Sequence, residues 1–482
     1  MDMSLQRDTE ILNDSNRGVD GISSLPDEVL SEILTLVPTK EAAVASVVSK
    51  KMRCAFNWRN TLDFDYTSLE LPLPIPRCQT FKAFVSAVLK AFCSPYLSKF
   101  TLRFGRYAVK ESMPDLEPVL LNEWLHFPLT RDGVREIDLS IHVKQFAQLP
   151  QALFTRETLQ VLKLDGSLGI DQVCAMLSFN LPNLKTLHLC CAGVFTDDSF
   201  LTRLVSSCPS LQDLKVQICL WEHGDIISIS STSLRRLVLD IERSSKLYEK
   251  CSEHVLIDAP NLEYFTFLDN LALRYSITTM NALLKAEIYI GHIGDYHPRT
   301  WEDCFESLLS LLRGSSNASH LYLRGSCNEI LDYFELKDDQ LGVFHNLKHL
   351  ELITEWTTKW DKILLDFLKR SPFLEILSFP KGLFEKGPNS WDSDDEGLKL
   401  EQQAFSTTQL SSFLSHLKRI EIKSYQGYER ELNLIKHFLA CASILEDLVI
   451  TGSKIDPKSL ETTLKKLPRA SSTCSILVQG PV

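Results

Sequence analysis

Segments of the form Leu-x-x-Leu-x-Leu dominate the hydrophobic pattern of the chain. Leu159-Gln-Val-Leu-Lys-Leu164 recurs as Leu184-Lys-Thr-Leu-His-Leu189, Leu211-Gln-Asp-Leu-Lys-Val216, Leu234-Arg-Arg-Leu-Val-Leu239 and Leu262-Glu-Tyr-Phe-Thr-Phe267. These copies start at 159, 184, 211, 234 and 262, so they lie 25, 27, 23 and 28 residues apart, a repeat period rather than a chance spacing. Side chains alternate along a strand, so the fourth and sixth positions point inward and the third, fifth and seventh line the opposite face. No single unit can bury its own leucines. The pattern therefore predicts a stacked α/β solenoid, with a curved parallel sheet and helices outside it. Val134–Leu139 fits one step earlier, and Leu347–Leu352, Leu374–Phe379, Leu417–Ile422 and Leu445–Ile450 fit later. The stretch 283–325 fits worst, with Ala286–Ile290 and His320–Arg324 as its strand candidates.

The N-terminal pattern has the other period. Val29, Leu30, Ile33, Leu34 and Val37 make one apolar helical face, with Pro26 suited to the first helical position and Pro38 ending the run. Thr39 reads as the N-cap of a second helix carrying Ala43, Val44, Val47 and Val48, and Ser49 opens a third over Lys50–Phe56. Three helices in about 35 residues bury too little apolar surface to stand alone. Such a bundle either packs on its own chain or docks on another protein. Downstream, Leu71–Pro76 reads as a stiff extended spacer. Phe81, Phe84, Val85, Val88, Leu89 and Phe92 then form an amphipathic helix with Thr80 as its cap, placed to close the open end of the stack. Glu385–Gln403, with Asp392-Ser-Asp-Asp-Glu396, breaks the repeat and reads as an exposed acidic loop. Beyond it, Glu431–Cys441 and the Asp456-Pro457 start of a run to Leu467 are helices, and Cys474–Val478 is a closing strand.

Composition narrows the function classes. A net charge of -11 is the wrong sign for a dedicated nucleic-acid binder. Thirteen cysteines are scattered without a CxxC pair or a zinc-spaced histidine cluster, which points to a reducing compartment, cytoplasmic or nuclear, and to no metal. Met1–Arg17 has no apolar core of the kind a signal peptide carries, and no run of 18 apolar residues exists. Walker A, Gly-x-Gly-x-x-Gly, Gly-x-Ser-x-Gly and His-Glu-x-x-His sequences are all missing, so neither catalysis nor a cofactor is expected.

The run Leu25-Pro-Asp-Glu28, Val37-Pro-Thr-Lys40 and Ser49-Lys-Lys-Met-Arg53 resembles the F-box, with Met52 and Phe56 where tryptophans are usual. The repeat resembles the leucine-rich repeat, and Gly427, Glu429 and Glu431 before Leu445-Glu-Asp-Leu-Val-Ile450 are similar to the FBD segment. In that order they resemble the plant F-box/FBD/leucine-rich-repeat family. The implied layout is a disordered 1–19, F-box 20–60, linker and capping helix 61–96, repeats 97–384, acidic loop 385–403 and FBD 404–478. The resemblance implies a substrate-recruiting subunit of an SCF-type cullin-RING ubiquitin ligase, with no catalysis of its own. Its adaptor, of the Skp type, would meet Leu25, Pro26, Val29, Leu30, Ile33, Leu34, Pro38, Val47, Val48, Ser49, Met52 and Arg53. A protein target would meet Lys163, His188, Lys215, Arg236, Tyr264 and His349 on the concave face. Two other readings stay open: a small-molecule-gated receptor on the same scaffold, and a non-ligase interaction protein with a decayed F-box.

Overall fold

The protein's structure, a computed structural model, describes residues 25–68, 77–105, 114–145, 147–169, 178–195, 199–221, 226–241, 254–269, 271, 274–291, 300–333, 340–353, 360–383, 407–452 and 455–480. The N-terminal 1–19, the Leu71–Pro76 spacer and the acidic run 385–403 lie outside them. The chain divides into two compact units, Met1–Gln145 and Phe146–Val482.

In the first unit, α1 (Asp27–Leu36), α2 (Thr39–Val48) and α3 (Lys50–Asn57) lead into β1 (Thr61–Asp65). Pro26 stands just before α1 rather than inside it, in an extended conformation that costs no hydrogen bond because proline has no N–H. Ser49 caps α3 by accepting from the Met52 N–H. Thr39 corrects the sequence reading. Its side chain is fully buried and accepts from the Asp63 N–H of β1 at 2.7 Å, so it ties the bundle to the sheet instead of capping α2. Arg59, also buried, donates to the Val37 carbonyl at 2.9 Å and so joins the segment after α3 to the turn between α1 and α2; burial lowers its pKa to about 10.

β1 is already a strand of the parallel stack. It pairs in register with β2 (Lys99–Phe104), which pairs with β3 (Glu136–Ile141). The expectation of a linker and capping helix over 61–96 is corrected accordingly: α4 (Arg77–Ala91) is the crossover between β1 and β2, and α5 (Pro118–Leu129) the one between β2 and β3. Thr80 sits within α4 and not at its start. Phe81 stacks on Phe104 at 5.5 Å and meets Trp124 edge-on at 6.3 Å, so aromatic rings weld crossovers to strands.

In the second unit, strands starting at Val161, Thr186, Asp213, Arg236, Tyr264, Lys285, His320, His349, Ile376, Arg419, Asp447 and Ser475 follow one another in a single parallel ladder. Leu162, Leu187, Leu214 and Leu237 share one buried row, as the phase of the repeat required. The poorly fitting stretch contributes two full strands, Lys285–Ile290 and His320–Gly325. Leu181-Pro-Asn-Leu184 and Ala259-Pro-Asn-Leu262 lead into two of these strands, and their asparagines link repeats. The Asn183 amide donates to the Glu157 carbonyl at 2.9 Å and the Asn261 amide to Thr232 at 2.8 Å, each stitching a repeat to the one before it.

The outer layer departs from all-helical. Helices such as Ser199–Ser206, Trp301–Gly314 and Trp360–Arg370 are present, but three repeats place strands outside instead: Ile226–Ser230, His254–Asp258 and Arg274–Ile277, a parallel sheet of their own. Alternating β-branched residues explain the switch, with Ile227, Ile229, Val255 and Ile257 buried beneath polar neighbours. Hydroxyls close this sheet's two edges. Thr202 accepts from the Ser228 N–H on one side, and Ser310 from the Ile277 N–H on the other.

Near the C-terminus the Glu431 carboxylate, fully buried, accepts from the N–H groups of Gln426, Gly427 and Tyr428 at 3.1, 2.7 and 3.0 Å, closing the start of the helix Glu429–Cys441. Gly427 is required there: its φ is +91°, and a Cβ would collide with Ile455.

Candidate functional site

Two surfaces carry unspent binding capacity. The first lies on α1 and α2. Leu30 and Leu34 turn into the bundle and are buried, which corrects their assignment to the adaptor surface: they hold the helices together. What remains outside is more apolar than the sequence suggested. Leu36 is 87% exposed, Val48 79%, Val47 74% and Val44 65%, with Val29 and Ile33 also exposed. Pro26, Pro38 and Arg53 are exposed beside them, and Leu25, Ser49 and Met52 are half-buried. Lys51 donates to the Leu25 carbonyl at 2.5 Å and so fixes the entry to α1. Leu36, Val44 and Trp58, also exposed, were missed as candidates. Leu36 falls three residues after Ile33, a spacing that could have found it.

The second surface is the open face of the sheet in the second unit. Lys163, His188 and Lys215 occupy one row on adjacent strands. Arg236 and Tyr264 are direct neighbours in the next row, the guanidinium 5.0 Å over the ring. These five come together. His349 does not join them, because the strands of Lys285 and His320 intervene.

Around His349 stands a denser group that sequence reading overlooked. Tyr322 lies beside it, ring centroids 5.5 Å apart, and Lys285 sits 4.6 Å over the Tyr322 ring. Arg324 pairs with Glu351 at 2.9 Å. The imidazole Nε2 is 3.1 Å from the Ser378 hydroxyl, which lies 3.4 Å from a Glu421 oxygen. Glu421 can only accept when ionised, so the chain runs His349 N–H to Ser378 O–H to Glu421, with Arg419 donating to the far carboxylate oxygen at 2.7 Å. Burial, then His320, lowers the His349 pKa, favouring the neutral ring. The strands of Lys285 and His320 were hard to read because Leu283-Leu-Lys-Ala-Glu-Ile288 and Ala318-Ser-His-Leu-Tyr-Leu323 put alanine where the pattern has leucine.

Among the described residues no group of three His, Cys, Asp or Glu could hold a metal ion, and no helix is long and apolar enough to cross a membrane. An apolar helical patch and a long, mixed polar sheet face are arrangements for holding other molecules.

Family comparison agrees in the same order along the chain. Residues 22–63 match the F-box domain, 121–286 match the LRR repeats of "FBD-associated F-box protein At5g56370", and 410–450 match FBD. F-box/LRR-repeat protein At4g14096 of Arabidopsis thaliana is 30% identical over 469 residues, covering 95% of this chain and 94% of that protein. The chain belongs to the plant F-box/FBD/LRR-repeat family. A second Arabidopsis thaliana relative, F-box/LRR-repeat protein At4g14103, is 32% identical over 76% of this chain and 93% of its own length. Putative F-box/FBD/LRR-repeat protein At3g59240, from the same plant, is 28% identical over 95% and 89%. As a family member the chain has an adaptor-type architecture, a small docking module joined to a repeat surface.

Proposed function

We propose that this family member recruits a protein target to a cullin-RING ubiquitin ligase of the SCF type, its F-box docking a Skp-type adaptor and its open sheet face holding the target. The observation that carries the reading is the bare apolar patch of Leu36, Val44, Val47 and Val48 on a bundle too small to spend such surface without a partner. The proposed adaptor surface also takes in Leu25, Pro26, Val29, Ile33, Pro38, Ser49, Met52 and Arg53, while Leu30 and Leu34 are buried within the bundle. Its effect on rate is one of proximity: target and transfer enzyme, held in one assembly, meet at raised effective concentration without new chemistry here. Free cysteines throughout the described residues suit a cytoplasmic or nuclear setting.

Co-purification tests it. The double variant Val47→Glu, Val48→Glu is expected to lose the adaptor completely while its melting temperature stays put. Wild-type recovery of adaptor by that variant would remove the docking surface from the F-box.

A further inference from the structure

We propose that the strand Ser475–Val478 pairs edge to edge with the same strand of a second copy, joining two chains in a two-fold dimer. The inference goes beyond the recruiting role and does not depend on it. This strand pairs with Asp447–Thr451 on one side, and among the described residues no strand lies beyond it on the other. The N–H groups of Ser475 and Gln479 donate to the Glu446 and Ile450 carbonyls at 2.7 and 2.8 Å. Main-chain groups alternate in direction along a parallel strand, so the N–H and C=O of Ile476 and Val478 point away from the sheet. Among the described residues they meet no partner there.

The outermost strand at the other end, β1, is closed by contrast. Its Asp63 N–H donates to the Thr39 hydroxyl, and its Thr61 hydroxyl reaches the Thr35 carbonyl at 3.4 Å. Exposed edges are ordinarily blunted by charge or proline, and the stretch from Ala470 to Gly480 contains neither. A single contact bounds the open edge: the Arg469 guanidinium donates to the Cys474 carbonyl at 3.2 Å, just before Ile476 and Val478.

That edge is complementary to itself. An antiparallel pairing centred on Leu477 sets Ile476 of each copy opposite Val478 of the other, and the two exchange both their hydrogen bonds, so every outward group finds a partner. Leu477 then faces its own mate at a non-hydrogen-bonded position, where Cα atoms are about 4.5 Å apart and side chains lie closest. It is 47% exposed and stands in register beside half-buried Val449, so the seam closes an apolar strip of Val449 and Leu477 from each copy. Ser475 falls opposite Gln479, a hydroxyl against a primary amide, both exposed. Arg469 comes beside the Gly480 of the mate, which has no side chain to obstruct it.

Charge permits a second copy. A two-fold axis sets any charge near its centre against an identical one, and the uncharged strand removes that penalty. The two Arg469 groups stand at opposite ends of the seam, roughly 20 Å apart at about 3.4 Å per residue, beyond the range of unscreened repulsion. The axis runs perpendicular to the joined sheet, so the open faces of both copies lie on one side of it, available together to a target that is itself repeated. The seam is short, which makes the pair a weak and concentration-dependent one.

Sedimentation equilibrium of the full chain, from about 1 to about 200 µM, tests this. The expected result is a reversible rise in average mass from one chain towards two. Leu477→Lys sets two ammonium groups face to face and should weaken the pair at least about tenfold with unchanged melting. Leu477→Glu should do the same, and an equal mixture of the two variants should restore dimers. Val47→Glu with Val48→Glu should dimerise as the wild type does, which separates this seam from the apolar patch on α1 and α2. The proposal is overturned by a chain that stays monomeric throughout, by a dimer that survives Leu477→Lys or disappears with Val47→Glu and Val48→Glu, or by a Lys/Glu mixture that fails to pair.

Discussion

The two exposed surfaces, on α1 and α2 and on the open sheet face, are built on opposite principles. On α1 and α2 six aliphatic side chains, Val29, Ile33, Leu36, Val44, Val47 and Val48, stand exposed among acidic neighbours such as Glu28, Glu32 and Glu41, whereas on the open face many of the polar side chains already pair with each other, as Arg324 does with Glu351 and Arg419 with Glu421. An aliphatic patch gains by simple burial, with about 25 cal/mol per Å² as the scale, and one partner of matching shape is enough. A face of paired charges gains little unless the ligand replaces the bonds it breaks, so it discriminates between ligands more than it attracts them. The difference suits a fixed common partner at one end and a selected target at the other.

The contrast can be broken experimentally, beginning with the largest effect. Val47→Glu with Val48→Glu should abolish adaptor recovery yet change stability by no more than about 0.5 kcal/mol, since both are surface positions. Leu187→Ala, one layer beneath the open face, should behave in the opposite way and lower unfolding free energy by about 2 to 5 kcal/mol in denaturant titration. A value near zero would mean that the inward row is misplaced. Glu431→Ala strips three half-buried N–H groups of their acceptor and should cost about 1 to 3 kcal/mol by the same titration.

Arg236→Ala with Tyr264→Ala is expected to leave stability and adaptor recovery intact and to lose the target in co-purification. Retention of the target by this variant would shift recognition to the Tyr322–His349 group. The smallest effect is pH dependence. The folded pKa of His349 lies below its ordinary 6.5, so just below that pH the unfolded chain binds more protons than the folded one. Stability should therefore fall as pH drops through this window, and His349→Gln should flatten that part of the curve. An unchanged slope would show that the imidazole does not titrate as its burial requires.

Legibility in the sequence followed the strength of the local signal. Leu162, Leu187 and Leu214 announced both the strand and its inward phase, because a period of two repeated every 23 to 28 residues has few alternative readings. Ala286 buries as completely as those leucines but carries too little hydrophobicity to mark a strand, so Lys285, Glu287 and Tyr322 went unread as face residues. On the F-box, helical periodicity placed Leu30 and Leu34 on the same stripe as Ile33. Only the bundle decides which edge of that stripe turns inward.

By itself the sequence determined the module order, the parallel ladder and its inward rows, since each is a matter of periodicity along the chain. Tertiary structure decided what the residues between those rows do. Thr39 could cap a helix or accept from a strand, and the presence of Asp63 N–H across the bundle chose the second. Asn346 has the same local sequence position as Asn183, yet one amide is bonded and the other open, because the bond depends on where the previous repeat leaves its carbonyl. Pairing across repeats joins residues more than twenty positions apart, and no local pattern encodes the distance between them.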